Sequence, residues 1–174
     1  MRPAAILAAV LMAIGALAAT PAGASKTPQV LFECKDADWS VRLLGTGDGK
    51  LVLITSRLSG PPSTAGVTSS WREVREGRVT GQEGGHQSHL RLHDGYRQII
   101  LFEGRSGNLS DNPGETHAGA MTFTQRNPAQ DLRVTCEADE TNAKLVENTV
   151  KWAEQTGGPV PQPEDEGGEF DAWF

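Results

Sequence analysis

The stretch HLRLHDGYRQIILF, residues 89–102, decides the fold. In its first half Leu90 and Leu92 alternate with His89, Arg91 and His93, the period of two that belongs to a strand with one buried face. Asp94-Gly95 then interrupts the pattern. A two-residue hairpin turn needs positive φ at its central positions, and Asp-Gly is among the pairs that accept it at least cost. Residues 96–102 return as the partner strand, so this segment predicts an antiparallel hairpin.

Similar units lie on both sides. In VLFEC (30–34) Val30, Phe32 and Cys34 share a face, and in WSVRLL (39–44) so do Trp39, Val41 and Leu43. GTGDG (45–49) makes a turn, and KLVLITS (50–56) returns as strand. A strand rather than a helix follows the glycines, so the Gly-rich turn is not a phosphate loop. SGPPSTAG (59–66) reads as a loop, because Pro61 and Pro62 exclude a central strand. SSWREVR (69–75), a Glu76-Gly77 turn and RVT (78–80) predict a short exposed hairpin. After a loop over 103–119 come AMTFTQ (120–125), a turn near Asn127-Pro128, and DLRVTC (131–136).

About eight short strands with local connections predict a mainly β protein, a small antiparallel β-barrel, with a sandwich as the alternative. The two cysteines, Cys34 and Cys136, sit at the ends of the first and last strands. In an oxidising compartment they predict a disulfide tying the two ends of the β region together, as barrel closure requires. The bridge would span a loop of roughly a hundred residues, which the chain-entropy argument values at about 4–5 kcal/mol.

One helix is predicted over about 139–156, with Asp139 and Thr141 as candidate N-caps. Leu145 and Trp152 share its apolar stripe with Val146, Val150 and Ala153, and Gly157-Gly158 with Pro159 ends it.

The two termini speak to compartment and contacts. Residues 1–24 show Arg2, an apolar run from Ala4 to Ala19, and Ala22-Gly23-Ala24, the layout of a cleavable secretory signal. The run is too short and Ala-rich to anchor in a bilayer. Export, most simply to a bacterial periplasm, is the expectation, with the domain over 25–156. Loss of Arg2 takes the formal charge from −6 to −7. No basic field is present to hold nucleic acid, and stable membrane insertion is not expected.

Residues 157–174 predict a flexible tail rich in Pro, Gly and acids. It contains Glu164, Asp165, Glu166, Glu169 and Asp171, no Lys or Arg, and three of the ten aromatic residues. Phe170, Ala172, Trp173 and Phe174 form a candidate partner-binding motif, able to add as a strand to a sheet edge or to fold back on its own domain.

For chemistry the sequence offers His86, His89 and His93. On a strand His89 and His93 stand roughly 13 Å apart, too far for one ion, and Arg91 lies between them. Polar outward positions are the simpler reading; a metal-dependent or hydrolytic enzyme is the rival. His117 lies in the expected 103–119 loop. No Gly-x-Ser-x-Gly elbow occurs, and a disulfide leaves no free thiol. No catalytic residue, metal ligand or cofactor is assigned, and the reading is a non-enzymatic binding protein.

The layout over residues 30–136, with FEC in the first strand, a GYRQIILFEG segment and a Cys in the last strand, resembles the periplasmic C-type lysozyme inhibitors. That resemblance implies a small β-barrel that blocks the cleft of a cationic enzyme. The Ser-Gly-x-(Lys/Arg)-Tyr type of loop those inhibitors present has no counterpart here, since Tyr96 follows LHDG.

Overall fold

A computed structural model describes residues 27–59, 64–68, 74–80, 82–94, 97–124, 132–139 and 142–163. Residues 1–24, Thr141 and the aromatic motif at 170–174 lie outside the described residues.

The protein is mainly β. A first sheet is an antiparallel meander of β1 (Gln29–Lys35), β2 (Trp39–Gly45), β3 (Leu51–Arg57) and β4 (Thr64–Thr68), in that order. The expected hairpin around GTGDG is present, with Gly45 opposite Leu51 and Trp39 opposite Arg57. The second sheet contains β5 (Val74–Thr80), β6 (His86–Asp94), β7 (Arg97–Arg105), β8 (Thr116–Thr124) and β9 (Arg133–Glu137) as neighbours. A helix, α1 (Leu145–Thr156), follows, and then a two-residue strand, β10 (Gln162–Pro163), pairs parallel with β5 at Arg75 and Glu76.

Leu31, Val41, Leu43 and Leu53 from the first sheet meet Leu90, Leu92, Ile99 and Leu101 from the second in one buried cluster, which Leu145, Trp152 and Ala153 of α1 complete. The helix is held by polar contacts as well as apolar ones. Asn148 donates its side-chain N–H to the Leu31 carbonyl at 3.3 Å, and the Trp152 indole donates to the Thr46 carbonyl at 3.1 Å. Trp152 is a packing residue, as its place on the apolar stripe implies.

Cys34 and Cys136 form the expected disulfide, with Cα atoms 5.8 Å apart. It joins β1 to β9 where the two sheets approach. Among the described residues no hydrogen-bonded ladder closes the two sheets into the expected barrel; at this edge they are linked by the covalent bridge.

Four local expectations also shift, each because long-range pairing overrides a local signal. A strand, β4, occupies part of the expected loop at 59–66; it begins after the prolines and lies at a sheet edge, where prolines do least harm. Glu76-Gly77 is not a turn, because β5 runs straight through it with Gly77 opposite His89. Asp94 pairs with Arg97, so the hairpin connection is 95–96, one residue later than expected. β8 starts at Thr116, since β7 extends far enough to pair Arg105 with it.

The helix begins at Leu145 rather than near 139. Asp139 and Asn142 instead build a separate turn: the Asn142 N–H donates to Asp139 Oδ1 at 3.0 Å and the Asp139 N–H to Asn142 Oδ1 at 2.6 Å. Gly157 ends the helix in the left-handed conformation, φ 69°, as predicted. The chain beyond it, expected to leave the domain at 157, stays on the sheet through Pro163, with Pro161 buried.

Candidate binding face

Directly opposed residues in antiparallel strands share a face, so the ladders of the second sheet fix what its outer side presents. One row runs Gly77, His89, Phe102, Gly119, Thr135 across β5 to β9. A second runs Arg75, Arg91, Ile100, Met121, Arg133, and a third Val79, Gln87, Gly104, His117, Glu137. These alternate with Leu90, Leu92, Ile99 and Leu101, which point into the core.

An outer face on a two-layer protein should be wet. This one is not. Gln87 is 0%, His89 1%, Ile100 2% and Phe102 5% exposed, yet none belongs to the main core cluster. Phe102 lies across the strand onto Gly119, where an added Cβ would come within 2.3 Å of its ring, so the glycine makes the seat for the phenyl. The His117 ring tilts against the same phenyl at 6.1 Å between centroids.

The polar groups around this apolar centre are unusual. Arg75 and Arg91 stand directly opposite each other, both half-buried, where two like charges repel. Neither is without a partner. Arg133 continues the row, and Glu137, at the far edge, is the only acid on this face among the described residues. Gln87 has neither its side-chain N–H nor its carbonyl hydrogen-bonded among the described residues, and His117 Nε2 is likewise unsatisfied. Burial holds the His117 pKa below the ordinary histidine value; Glu115 and its hydrogen bond oppose this, while His86 adds to it. A buried amide with an open donor and acceptor beside a neutral imidazole fits the main chain or a carboxylate of an extended peptide.

The three histidines of residues 86–93 are not brought together. His86 lies on the core-facing side of β6, where it lines a recess of about 170 Å³ with Ser88, Glu103 and Arg105. His89 and His93 fall on the outer face with Arg91 between them. His117, expected in a loop, is on β8, diagonal to His89 across Phe102. Among the described residues no group of three or more His, Cys, Asp or Glu side chains could hold a metal ion. A second recess, about 570 Å³, opens beside the disulfide between Glu33, Lys35, Glu137, Asp139 and Asn142. Its charges are mixed in sign, and Glu33 is already paired with Arg42 at 3.4 Å.

Ile100, Phe102, Gln87 and the Arg75–Arg91 pair do not stand out as a site from sequence. The available signal is the unbroken run Ile99–Phe102, which says that both faces of that strand are buried. Compared with known proteins, the chain matches no family model, no curated protein and no solved structure.

Proposed function

We propose that this is an exported, non-enzymatic binding protein that works through protein–protein contacts, using the outer face of the second sheet and the C-terminal aromatic segment. The disulfide is in keeping with an oxidising compartment such as the periplasm, and no helix among the described residues is long and apolar enough to cross a membrane. The observation that carries the reading is the composition of the face: a buried Ile100–Phe102 centre, two opposed arginines, and an amide with both hydrogen-bonding positions open. That chemistry suits an extended, acidic polypeptide bearing aromatic side chains, and it does not suit a cationic enzyme.

The test uses the full-length mature chain with Phe170, Trp173 and Phe174 replaced by serine, so that its own end does not compete. A synthetic peptide of residues 164–174 serves as the probe in calorimetric titration. Binding should appear and should weaken at least tenfold in the additional double variant Arg75→Glu, Arg91→Glu. No heat and no perturbation of the face would rule this reading out.

A further inference from the structure

We infer that the ligand of this face in the isolated protein is the chain's own C-terminal segment, residues 164–174, which crosses the outer side of the second sheet and seats Phe170, Trp173 and Phe174 on the Ile100–Phe102 centre. The inference deepens the binding reading and rests on it.

The segment begins at the edge of this sheet. Pro163 is paired to β5 opposite Glu76, and Gln162 lies beside Arg75. The segment therefore leaves from the edge of this sheet, next to the arginine pair. From β10 to β7 is three strand spacings, roughly 14 Å. Six residues, 164–169, reach up to about 20 Å when extended, enough to deliver Phe170 to Phe102 with slack.

The charges of the face and of the segment are complementary. Arg75, Arg91 and Arg133 occupy one row of the face, with Glu137 the only acid on it among the described residues. The eleven residues that follow Pro163 hold five acids and no base. Glu164, Asp165 and Glu166 come first, following Pro163 opposite Glu76, and in this docking supply anions to the row that holds the two opposed guanidinium groups.

Gln87 is fully buried and both its polar atoms lack hydrogen bonds among the described residues, as does His117 Nε2 one strand pair away. A peptide main chain laid along this row supplies both a donor and an acceptor to Gln87. Its aromatic side chains then cover Ile100 and Phe102, whose burial the main cluster does not explain.

Tethering makes even a weak contact sufficient. A short flexible linker gives an effective concentration on the order of millimolar, so a contact of about 100 μM in trans is roughly nine-tenths occupied in cis.

The experiment combines amide hydrogen exchange of residues 170–174 in the full-length mature chain with titration by the 164–174 peptide. Docking in cis predicts that these amides are protected at least tenfold, and that Arg75→Gln, Arg91→Gln, or a rise in salt from 0.05 to 0.5 M, removes the protection while the β6 and β7 amides stay slow. It also predicts that the peptide binds the Phe170, Trp173, Phe174 serine variant at least tenfold more tightly than the wild type. Free exchange of 170–174, with equal peptide binding to both proteins, overturns cis docking and leaves the face a peptide-binding surface. Protection indifferent to both the arginine variants and salt overturns it too, by placing the segment elsewhere. Free exchange with no peptide binding to either protein defeats the inference and the binding reading together.

Discussion

The carboxylate of Glu103, within a β-strand, accepts the backbone N–H of Leu145 at 2.6 Å and so caps the first turn of α1 from across the core. The helix has no side-chain cap of its own, because its boundary residue, Lys144, makes no such bond. Burial pushes the Glu103 carboxyl above its ordinary pKa; the Leu145 N–H counteracts this, and Glu147 adds to it. A raised carboxyl pKa contributes most to stability below the unfolded value, about 4.3, and less as pH climbs through the folded value. Glu103→Ala should cost about 1 kcal/mol in urea unfolding at pH 7, the usual loss of a cap. Glu103→Gln keeps an acceptor without a buried charge, so it should match or exceed wild type at pH 7. An alanine variant as stable as the glutamine variant would show that the cap contributes nothing.

Removing the disulfide should be more damaging. Cys34→Ser or Cys136→Ser releases a loop with ends 102 residues apart in sequence, and the loss should be roughly 2–5 kcal/mol in chemical denaturation. The oxidised protein should react with no thiol reagent until unfolded and reduced.

Trp152 is pinned between two glycines. A Cβ on Gly45 would lie 2.4 Å from its Nε1, and one on Gly158 2.4 Å from its ring. Gly45→Ala should therefore overpack the site and cost about 1–3 kcal/mol, read as a fall in Tm. Combining it with Trp152→Phe should recover part of that loss, since the smaller ring gives way. Simple additivity of the two variants would mean the contact is not the cause.

His117 sets a pH dependence of opposite sign to Glu103. Its folded pKa lies below the ordinary value, so the unfolded chain binds a proton more readily. Its contribution is complete above about pH 6.5 and is lost as pH falls through the folded pKa. The stability gap between wild type and His117→Gln should therefore shift against wild type between pH 7.5 and 5. A constant gap would contradict the burial of this imidazole.

The sequence speaks clearly where period-two patterning and turn chemistry act over a few residues. The β6–β7 hairpin, the β2–β3 hairpin, the Gly157 helix end and the pairing of Cys34 with Cys136 are all legible that way. It misleads where a partner strand decides. Glu76-Gly77 has turn chemistry, but seven paired residues of β6 hold it extended. Asp139 is a good cap residue, yet it caps a separate turn, because the helix start is set by Glu103, forty-two positions earlier. The candidate face was hidden for the same reason. Arg75 and Arg91 become neighbours only through register, and Gln87 becomes a buried amide only once β5 and β7 flank it.

The two residues of β10 govern how the molecule behaves in a crowd. A bare β5 would offer its N–H and C=O groups to any extended chain, including another copy. β10 occupies that edge, and its second residue, Pro163, has no N–H with which to extend the ladder. At the opposite end, β9 is bound through Cys136 to the first sheet. The larger sheet thus carries a terminator at one end and a rivet at the other. In the first sheet the outer strand away from the disulfide is β4, which begins two residues after Pro62 in the sequence. A cut after Thr156 would separate β10 from the domain and uncover the backbone of β5 at Arg75 and Glu76.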